Sequence, residues 1–429
     1  MKKKLIIYLF LWATLKSFGQ NPNWIVYNTS NSELPNNGVL SIAIDSFDIK
    51  WIGTVNGLSK FDNHYWTIYT PSNTPLLYYG TIHSICIDAE NKKWLGTMSL
   101  NIFDDLNWFY YEFRQSGALD IVNTIMTDQN NAKWMGTNST GLIKFADTNW
   151  TFYNSSNSGL LDNHITALHI DKYGNKWIGT AYNGIFKFDG TAWVNYNNTN
   201  SGLPNDLVLE ISSDENDNKW IGTLQSGLVV FDGTDWTIYN TSNSDLPNNC
   251  VSSIVIDRQN NKWIGSSNAN LQAGLVKYDG LNWIIYNISN SGLPSNQIFS
   301  IVIDKFNNKW IGTGQGLAVF NEEGIISSVE ETILIREFSL SQNYPNPFNP
   351  STKIKYSIPA SLNPSEGGTL VSLKIYDLLG REVATLVNEE KQTGYYEIEF
   401  NGNNLPSGVY YYQLKANKFV ETKKMILLR

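Results

Sequence analysis

Short apolar stretches separated by polar turn residues recur along residues 24–320 at a nearly constant spacing. A K-W-[ILM]-G-[TS] pentad and a W-x-x-Y motif each recur every 40–47 residues. Self-similarity at this period indicates an array of equal structural units. Each series has seven tryptophans: Trp51, Trp94, Trp134, Trp177, Trp220, Trp263 and Trp310 in the pentads, and Trp24, Trp66, Trp108, Trp150, Trp193, Trp236 and Trp283 in the second motif.

Each unit carries four short β signals: an apolar stretch that ends at an aspartate, the pentad, a G-L-x-K-F stretch and W-x-x-Y. Asn-Gly and Asp-Gly turn residues separate them, and no helical period is present. Four short strands per 40–47 residues predict the blade of a β-propeller. The fold class is therefore all-β.

The order of the motifs predicts how the ring closes. The chain begins with an isolated W-x-x-Y strand, Trp24–Tyr27, and the seventh pentad unit ends at Phe320 without one. The N-terminal strand can complete the seventh sheet, which would leave no open edge at the seam. We therefore predict a seven-bladed propeller closed by its N-terminal strand over residues 20–320.

The repeated tryptophans and aspartates are interpreted as structural. Both faces of a blade pack against neighbours, so residues present in all seven units are expected to serve packing rather than sugar stacking. Each repeated aspartate is expected to bond its own turn. Calcium at 214–218 is the alternative, although the fixed glycine and terminal glutamate of a calcium loop are missing. We expect no metal and no cofactor.

The N-terminal 19 residues have the layout of a secretory signal peptide. Lys2–Lys4 precede an apolar stretch, Leu5–Leu15, and the small residues Ser17 and Gly19 stand before a cleavage point. The apolar stretch has eleven residues, fewer than the roughly 20 needed to span a bilayer. We expect residues 1–19 to be removed on export and no transmembrane segment to follow.

Composition excludes several classes of function. The chain of 429 residues has a net charge of −8 and no basic cluster, which argues against nucleic acid binding. Its two cysteines, Cys86 and Cys250, provide no disulfide framework. We expect a monomer.

Residues 321–337 break the period and are predicted to be a linker. Beyond them, residues 338–429 contain six or seven alternating strands separated by turn signals, which predicts a small immunoglobulin-like β-sandwich.

Candidate chemistry is sparse. The four histidines fall at unmatched points of the repeat, and neither a zinc-binding H-E-x-x-H nor a G-x-S-x-G nucleophile motif is present. A sialidase would need three arginines, and the propeller contains only Arg114 and Arg258. His169 and Glu210 are unusual on the innermost strands and are predicted to line the channel. No catalytic residue is assigned.

The loops after the pentad and after W-x-x-Y are expected to emerge on one face of the ring. Loops held by a rigid scaffold commonly carry function, and Asn, Gln and Tyr suit hydroxyl-rich or peptide ligands. The ligand-binding candidates are Asn56, Tyr78, Tyr79, Tyr182, Asn183, Gln225, Gln272 (within an insertion, Ser267–Gln272) and Gln315.

The D-x-x-[GN]-N-K-W-I-G-T units of residues 24–320 resemble the two-component regulator propeller repeat. The resemblance implies a relation to periplasmic sensor propellers that precede histidine kinases in gut and soil bacteria, and to free secreted proteins. No membrane helix or kinase follows the repeats here, which argues against a sensor in cis.

The C-terminal segment resembles the type A sorting domain of the type IX secretion system. The motifs that carry the resemblance lie at Asn343–Thr352, Lys374–Leu386, Leu405–Leu414 and Lys423–Arg429. It implies export across the outer membrane, with the secretion machinery and its sorting peptidase as partners. It also implies cleavage in the linker, followed by release or attachment to outer-membrane lipopolysaccharide. The sorting-motif residues are Asn343, Tyr344, Pro345, Asn346, Pro347, Phe348, Gly380 and Gly408.

The leading hypothesis from the sequence is a secreted or cell-surface propeller that binds a glycan or protein without catalysis. One alternative is a carbohydrate-active enzyme, a lyase or hydrolase, with its site in the propeller funnel. Another is an extracellular sensor partner that acts in trans.

Overall fold

The computed structural model describes residues 23–74, 80–115, 118–266, 273–325, 338–359, 369–391, 394–417 and 419–428. Every regular element in these ranges is a β-strand. The chain divides into two compact units, Met1–Ile326 and Ser327–Arg429. The predicted signal peptide lies outside the described residues, and the exact domain boundaries stay predictions.

The first unit contains seven four-stranded antiparallel sheets, the blades of a propeller. In blades 1 to 6, four strands that are consecutive in sequence pair in chain order. The blades are Val39–Ile44, Lys50–Thr54, Gly57–Phe61 and Trp66–Tyr69 (blade 1); Ser84–Ile87, Lys93–Gly96, Leu100–Phe103 and Trp108–Tyr111 (blade 2); Val122–Thr127, Lys133–Thr137, Leu142–Ala146 and Asn149–Tyr153 (blade 3); Ile165–Ile170, Lys176–Thr180, Ile185–Phe188 and Trp193–Tyr196 (blade 4); Val208–Ser213, Lys219–Thr223, Leu228–Phe231 and Trp236–Tyr239 (blade 5); and Ser253–Ile256, Lys262–Gly265, Leu275–Tyr278 and Trp283–Tyr286 (blade 6).

Blade 7 joins the two ends of the repeat region. The strands Ile298–Ile303, Lys309–Thr313 and Gly316–Phe320 are completed by Trp24–Tyr27, with Trp24 opposite Phe320. The first strands of successive blades contact one another around the whole ring, including blade 7 against blade 1. The first strands are therefore innermost, and the predicted closed seven-bladed ring is confirmed.

The pentad tryptophans fill the space between blades. All seven are at most 6% exposed. Burying about 200 Å² of each indole contributes on the order of 5 kcal/mol before entropy is counted. The W-x-x-Y tryptophans are half-buried, and six of the seven stack on a third-strand aromatic ring of their own blade, as Trp24 does on Phe320 with centroids 4.1 Å apart. Trp150 is instead tilted by 40° with respect to Phe145. Packing is thus the role of the pentad series, as predicted.

Each repeated aspartate organises its turn and also holds the pentad tryptophan. In blade 1, Oδ1 of Asp45 accepts hydrogen bonds from the backbone N–H groups of Phe47 and Ile49. Its Oδ2 accepts a 3.1 Å hydrogen bond from Nε1 of Trp51. The other six blades repeat this bond at 2.8–3.0 Å. The turn bonds confirm the prediction, and the indole bonds were not foreseen.

The pentad lysines connect neighbouring blades. Each ammonium group lies 4.5–5.1 Å from the centroid of the pentad tryptophan in the preceding blade. Nζ of Lys133 also lies 3.1 Å from Oδ2 of Asp88. We call this arrangement the Lys–Trp ring; it consists of Lys50, Lys93, Lys133, Lys176, Lys219, Lys262 and Lys309 over Trp310, Trp51, Trp94, Trp134, Trp177, Trp220 and Trp263, respectively.

A short hairpin, Arg114–Gln115 with Ala118–Leu119, lies in the loop between blades 2 and 3. It replaces the loop that joins most other blades.

The C-terminal unit is a sandwich of two antiparallel sheets. One hydrophobic core contains side chains from both, among them Ile354, Leu373, Tyr412 and Met425, all 0% exposed. The three-stranded sheet is ordered Ser339–Leu340, Ser351–Ile358 and Gly394–Asn401, and the four-stranded sheet is ordered Glu382–Lys391, Thr369–Tyr376, Gly408–Ala416 and Phe419–Leu427.

Candidate functional site

Two sets of loops share one end of the propeller, which we call the loop face. These are the loops between the second and third strands and those that lead from each blade to the next. Backbone hydrogen bonds join the two sets, as from Val55 N–H to the Gly38 carbonyl at 3.0 Å and from Gly227 N–H to the Asn249 carbonyl at 2.9 Å. The repeated turns after the first strands lie at the opposite end.

The loop-face candidates that fall in the described residues are accessible. Asn56, Tyr182, Gln225 and Gln315 are exposed, and Asn183 is half-buried. They occupy the same loop of blades 1, 4, 5 and 7, so they are distributed around the ring. Three further candidates, Tyr78, Tyr79 and Gln272, lie outside the described residues.

Tyr182 is an exposed ring on a fixed backbone. Its side chain is 72% exposed. Its N–H donates a 2.9 Å hydrogen bond to Oδ2 of Asp162, and its ring meets His164 edge-on at 6.1 Å. The Asn183 N–H donates to Oγ1 of Thr180, which in turn donates to the Gly184 carbonyl. These bonds fix the position from which Tyr182 projects.

His169 lies on the innermost strand of blade 4, and the structure pairs it with a residue of blade 5. Its Nε2 is 2.7 Å from Oγ of Ser213. Burial, with a smaller contribution from the charge of Lys219, lowers the pKa of His169 to about 4. The imidazole is therefore neutral at pH 7 and has one nitrogen that can accept a proton.

Glu210 lies on the innermost strand of blade 5, opposite Gly222. Its side chain is half-buried, and no hydrogen bond or ion pair joins it to any other described residue. Burial raises the pKa of Glu210 to about 8, so the carboxyl group is largely protonated at pH 7. The equivalent residues of the other blades are small: Ser41, Ser84, Thr124, Ala167, Ser253 and Ser300.

Sequence reasoning missed Ser213, although a signal for it exists. The residue just before the repeated aspartate is isoleucine in five blades and threonine in blade 3, and only blade 5 has serine there. His169, Glu210 and Ser213 make the innermost strands of blades 4 and 5 more polar, since the positions of His169 and Ser213 are mostly apolar in the other blades.

A cleft of about 400 Å³ lies at the end opposite the loop face, between the turns of blades 1 to 3. Ile44, Ile87 and Thr127 line it, together with Asp45 and Asp88. These carboxylates already accept indole hydrogen bonds, so they serve the fold. Within the described ranges, no cluster of three or more His, Cys, Asp or Glu side chains could hold a metal ion.

The first sorting motif is built into the C-terminal sandwich. Asn343 is 2% exposed; its backbone N–H donates to the Tyr412 hydroxyl at 2.8 Å, and its Nδ2 donates to Oγ1 of Thr352 at 2.9 Å. Thr352 in turn donates to the Pro345 carbonyl. Tyr344 is 73% exposed. The motif therefore combines buried anchoring residues with a solvent-facing ring.

The remaining motif residues divide in the same way. Phe348 is buried, and its N–H donates to the Ile426 carbonyl at 2.9 Å, while Oδ1 of Asn346 accepts the Ile426 N–H. Gly380 has φ of 76° in a turn, a conformation that favours glycine. A side chain at Gly408 would meet no neighbouring atom within 4 Å. Pro347 lies between Asn346 and Phe348, in the segment that pairs the motif with the last strand.

Residues 342–428 match the family described as "Secretion system C-terminal sorting domain". No curated protein matches the chain by sequence. Among solved structures, the chain is similar to the extracellular domain of the putative hybrid two component system BT3049 from B. thetaiotaomicron, with 20% identity and a TM-score of 0.62. That match covers 95% of this chain and 57% of the other.

Two further structures share the propeller fold. PorZ, a surface component of the type-IX secretion system of Porphyromonas gingivalis, is 17% identical with a TM-score of 0.55, over 94% of this chain and 61% of PorZ. A streptogramin B lyase is 14% identical with a TM-score of 0.56, over 70% of this chain and 97% of the lyase. At these identities the likeness establishes the fold. The chain spans 57% and 61% of the lengths of the BT3049 and PorZ chains.

No helix in the described part of the chain is long and apolar enough to cross a membrane. The sorting domain implies an interaction with the secretion machinery and an extracellular or cell-surface location. Residues 342–428 thus form a type IX secretion system sorting domain, which follows a secreted seven-bladed β-propeller.

Proposed function

We propose that the propeller binds a glycan or protein ligand at the cell surface, without catalysis, through its loop face. The observation that carries this proposal is Tyr182, which is 72% exposed on a hydrogen-bonded loop. A fixed aromatic ring supplies contact area at low entropic cost. Asn56, Gln225 and Gln315 add neutral hydrogen-bonding groups around the same face, which suit sugar hydroxyls or peptide groups.

A glycan array probed with the full chain tests this proposal. Tyr182→Ala should weaken binding at least tenfold, because the exposed contact is lost while the fold is not. Tyr173→Ala is the matched control: Tyr173 is 73% exposed on the opposite end of the same blade. Equal binding by both variants would contradict a loop-face site.

Silence on the array would reject the glycan form of the proposal. The protein form is then tested with a photoreactive residue at position 182 on intact cells, with the same residue at position 173 as the control. A crosslinked partner seen only from position 182 supports it, and the absence of any such product overturns it.

A second candidate function, a carbohydrate-active enzyme, is favoured by the protonated Glu210 and the neutral His169, which lie on the innermost strands of adjacent blades. A proton donor and a proton acceptor on adjacent channel strands are a starting arrangement for acid–base catalysis. Degradation of polysaccharides by the full chain, with loss of turnover in Glu210→Gln, would support this candidate and overturn the non-enzymatic one.

We also propose that the signal peptide is removed after Gly19 and that the sorting peptidase cuts within residues 321–337. The mature propeller would then be released or joined to lipopolysaccharide. Mass spectrometry of the secreted protein should find an N-terminus near Gln20 and a C-terminus in that segment. A mature protein that retains residues 338–429 would contradict the second cleavage.

A further inference from the structure

The outer strands of the seven blades provide an internal comparison. Side chains alternate between the two faces of a strand. In W-x-x-Y, the residue after the tryptophan therefore shares a face with the tyrosine. Tyr111 of blade 2 contacts Trp150 of blade 3, with centroids 5.2 Å apart. Phe109 thus faces blade 3, and Phe152, on the same face as Trp150, faces blade 2.

Only the interface between blades 2 and 3 places an aromatic residue at both of these positions. The equivalent pairs at the other interfaces are Thr67 and Tyr110, Thr151 and Asn195, Val194 and Ile238, Thr237 and Ile285, Ile284 and Val26, and Ile25 and Ile68. Ordinary packing between blades therefore does not require two aromatic rings there.

The loop above this interface is also different. At three other interfaces, a glycine lies so close to the outer tryptophan of the next blade that a Cβ would come within 2.6 Å of its Cβ, as Gly159 does against Trp193. At the blade 2–blade 3 interface, Phe113 contacts the outer tryptophan of the next blade, Trp150. Its ring lies 5.4 Å from Trp150 and 6.4 Å from Phe152, centroid to centroid.

These residues form a partly exposed surface that we call the aromatic rim: Phe109, Tyr111, Phe113, Trp150 and Phe152. Phe109, Tyr111 and Phe152 are 46%, 39% and 40% exposed, whereas Phe113 is buried beneath them.

The size of the aromatic rim selects its occupant. If each ring residue presents about 200 Å² in full, the exposed fractions of Phe109, Tyr111 and Phe152 together amount to about 250 Å². A stable protein interface buries about 800 Å² on each partner. The rim alone is therefore smaller than a stable protein interface, and it is of the size that one or two sugar rings cover. Apolar C–H faces of a pyranose pack on aromatic rings.

We propose that the aromatic rim is a carbohydrate-binding site for the pyranose units of a polysaccharide. The inference rests on the proposed function only in taking a glycan as the ligand. Its surface, on the outer edge of blades 2 and 3, is separate from the loop face.

Affinity gel electrophoresis of the full chain tests the site, with dextran, laminarin, xylan and galactomannan as probes. At least one probe should retard the wild-type protein, and Phe109→Ala with Phe152→Ala should reduce its association constant at least tenfold. Ile284→Ala is the matched control, because Ile284 is 43% exposed at the position of blade 6 equivalent to Phe109. No retardation by any probe, or equal retardation of the double variant, overturns the proposal.

Phe109→Leu with Phe152→Leu guards against misfolding. Other blades carry isoleucine or valine at these positions, so the fold accommodates aliphatic side chains while the flat rings are lost. This variant should bind as weakly as the alanine variant and melt at the wild-type temperature. Wild-type binding by it would refute the aromatic site.

Tyr182→Ala separates the two sites. Loss of glycan binding in the rim variants alone supports the aromatic rim and contradicts a glycan site on the loop face. Loss of glycan binding in Tyr182→Ala alone supports a glycan site on the loop face and contradicts the aromatic rim.

Discussion

Nζ of Lys93 lies 4.5 Å from the ring centroid of Trp51, and this contact joins blade 2 to blade 1. The same indole donates its N–H to Asp45 within its own blade. One tryptophan therefore takes part in turn formation, blade packing and a cation–π contact between blades. Because all seven blades repeat the arrangement, the Lys–Trp ring is continuous around the propeller.

Trp263→Ala should cost about 3–5 kcal/mol of unfolding free energy, because it removes a fully buried indole and leaves a cavity. It also leaves Lys309 without its aromatic contact. Chemical denaturation followed by fluorescence measures the loss. Leu281→Ala, at an 88% exposed position of the same blade, should change stability little. Similar losses in both variants would contradict the central role of the indole.

The propeller should lose stability in acid as its repeated aspartates become protonated. Burial opposes ionisation of Asp88, Asp171 and Asp257, but hydrogen bonds, including those from the indoles, lower the pKa of each. A carboxyl group whose pKa is lower in the folded state stabilises the fold at pH values above its ordinary pKa of about 3.9. This stabilisation disappears as pH falls through the folded-state pKa. Denaturation midpoints measured from pH 6 to pH 2 should follow this trend.

Asp257→Asn isolates one such group. The variant should be about 1–3 kcal/mol less stable at pH 7, because the asparagine amide cannot accept every bond that the carboxylate accepts. Its stability should also fall less steeply in acid than that of the wild type. Parallel acid curves for the two proteins would contradict the assigned role of Asp257.

Trp24→Ala should weaken the seam of the ring. Trp24 stacks on Phe320 at 4.1 Å, and Trp236 stacks on Phe231 at 4.4 Å in a blade whose strands are consecutive. Both alanine variants should lower the melting temperature by similar amounts. Only Trp24→Ala should accelerate amide hydrogen exchange in Gly316–Phe320, because the N-terminal strand can detach. Equal exchange there in the two variants would contradict this expectation.

Glu210→Gln should stabilise the protein at alkaline pH. The pKa of Glu210 is raised to about 8 by burial, so the neutral form favours folding below its ordinary pKa. This contribution is lost as pH rises from about 4.5 to about 8, because in this range the Glu210 carboxyl ionises in the unfolded chain but stays neutral in the folded one. The variant should melt above the wild type at pH 9 and close to it at pH 5. Identical melting curves at pH 9 would show that Glu210 is well solvated.

Two tyrosines of the C-terminal sandwich should have different effects. The Tyr412 hydroxyl donates to the Ser341 carbonyl at 2.7 Å and accepts the Asn343 N–H. Tyr412→Phe leaves both groups without a partner, at a cost of about 1–3 kcal/mol. Tyr344→Ala should leave the melting temperature unchanged, because Tyr344 is 73% exposed. Calorimetry of the full chain checks both, and a destabilised Tyr344→Ala would contradict the division of roles.

The fold was predictable because its determinants recur. The spacing of the seven copies of each tryptophan motif predicts the repeat period, and the order of the motifs predicts the strand that completes blade 7. Single-copy features are harder to interpret. Ser213 acquires meaning only once the fold brings it 2.7 Å from His169 across a blade boundary. Phe109 and Phe152 were overlooked because their juxtaposition depends on which neighbouring blade each strand face meets.

The repeated aspartates show a similar limit. Their turn bonds follow from local sequence, and these were anticipated. The indole bonds depend on the hairpin that returns each tryptophan to the aspartate six positions earlier, as between Asp257 and Trp263. Loop-face candidates such as Gln225 could be assigned to a loop from the sequence, but exposure alone does not identify what they bind.

The two ends of the repeat region meet in blade 7. There the Asn321 N–H donates to the Asn23 carbonyl at 3.0 Å, next to the pairing of Trp24 with Phe320. A newly made chain cannot complete its last blade until both termini of the repeat region are available. Conversely, the ring could be circularly permuted. If residues 23 and 321 were linked and the chain were opened between two other blades, every contact between blades would be preserved. The segments before residue 23 and after residue 321 can thus both be joined to the propeller at blade 7 without interrupting the ring of blades.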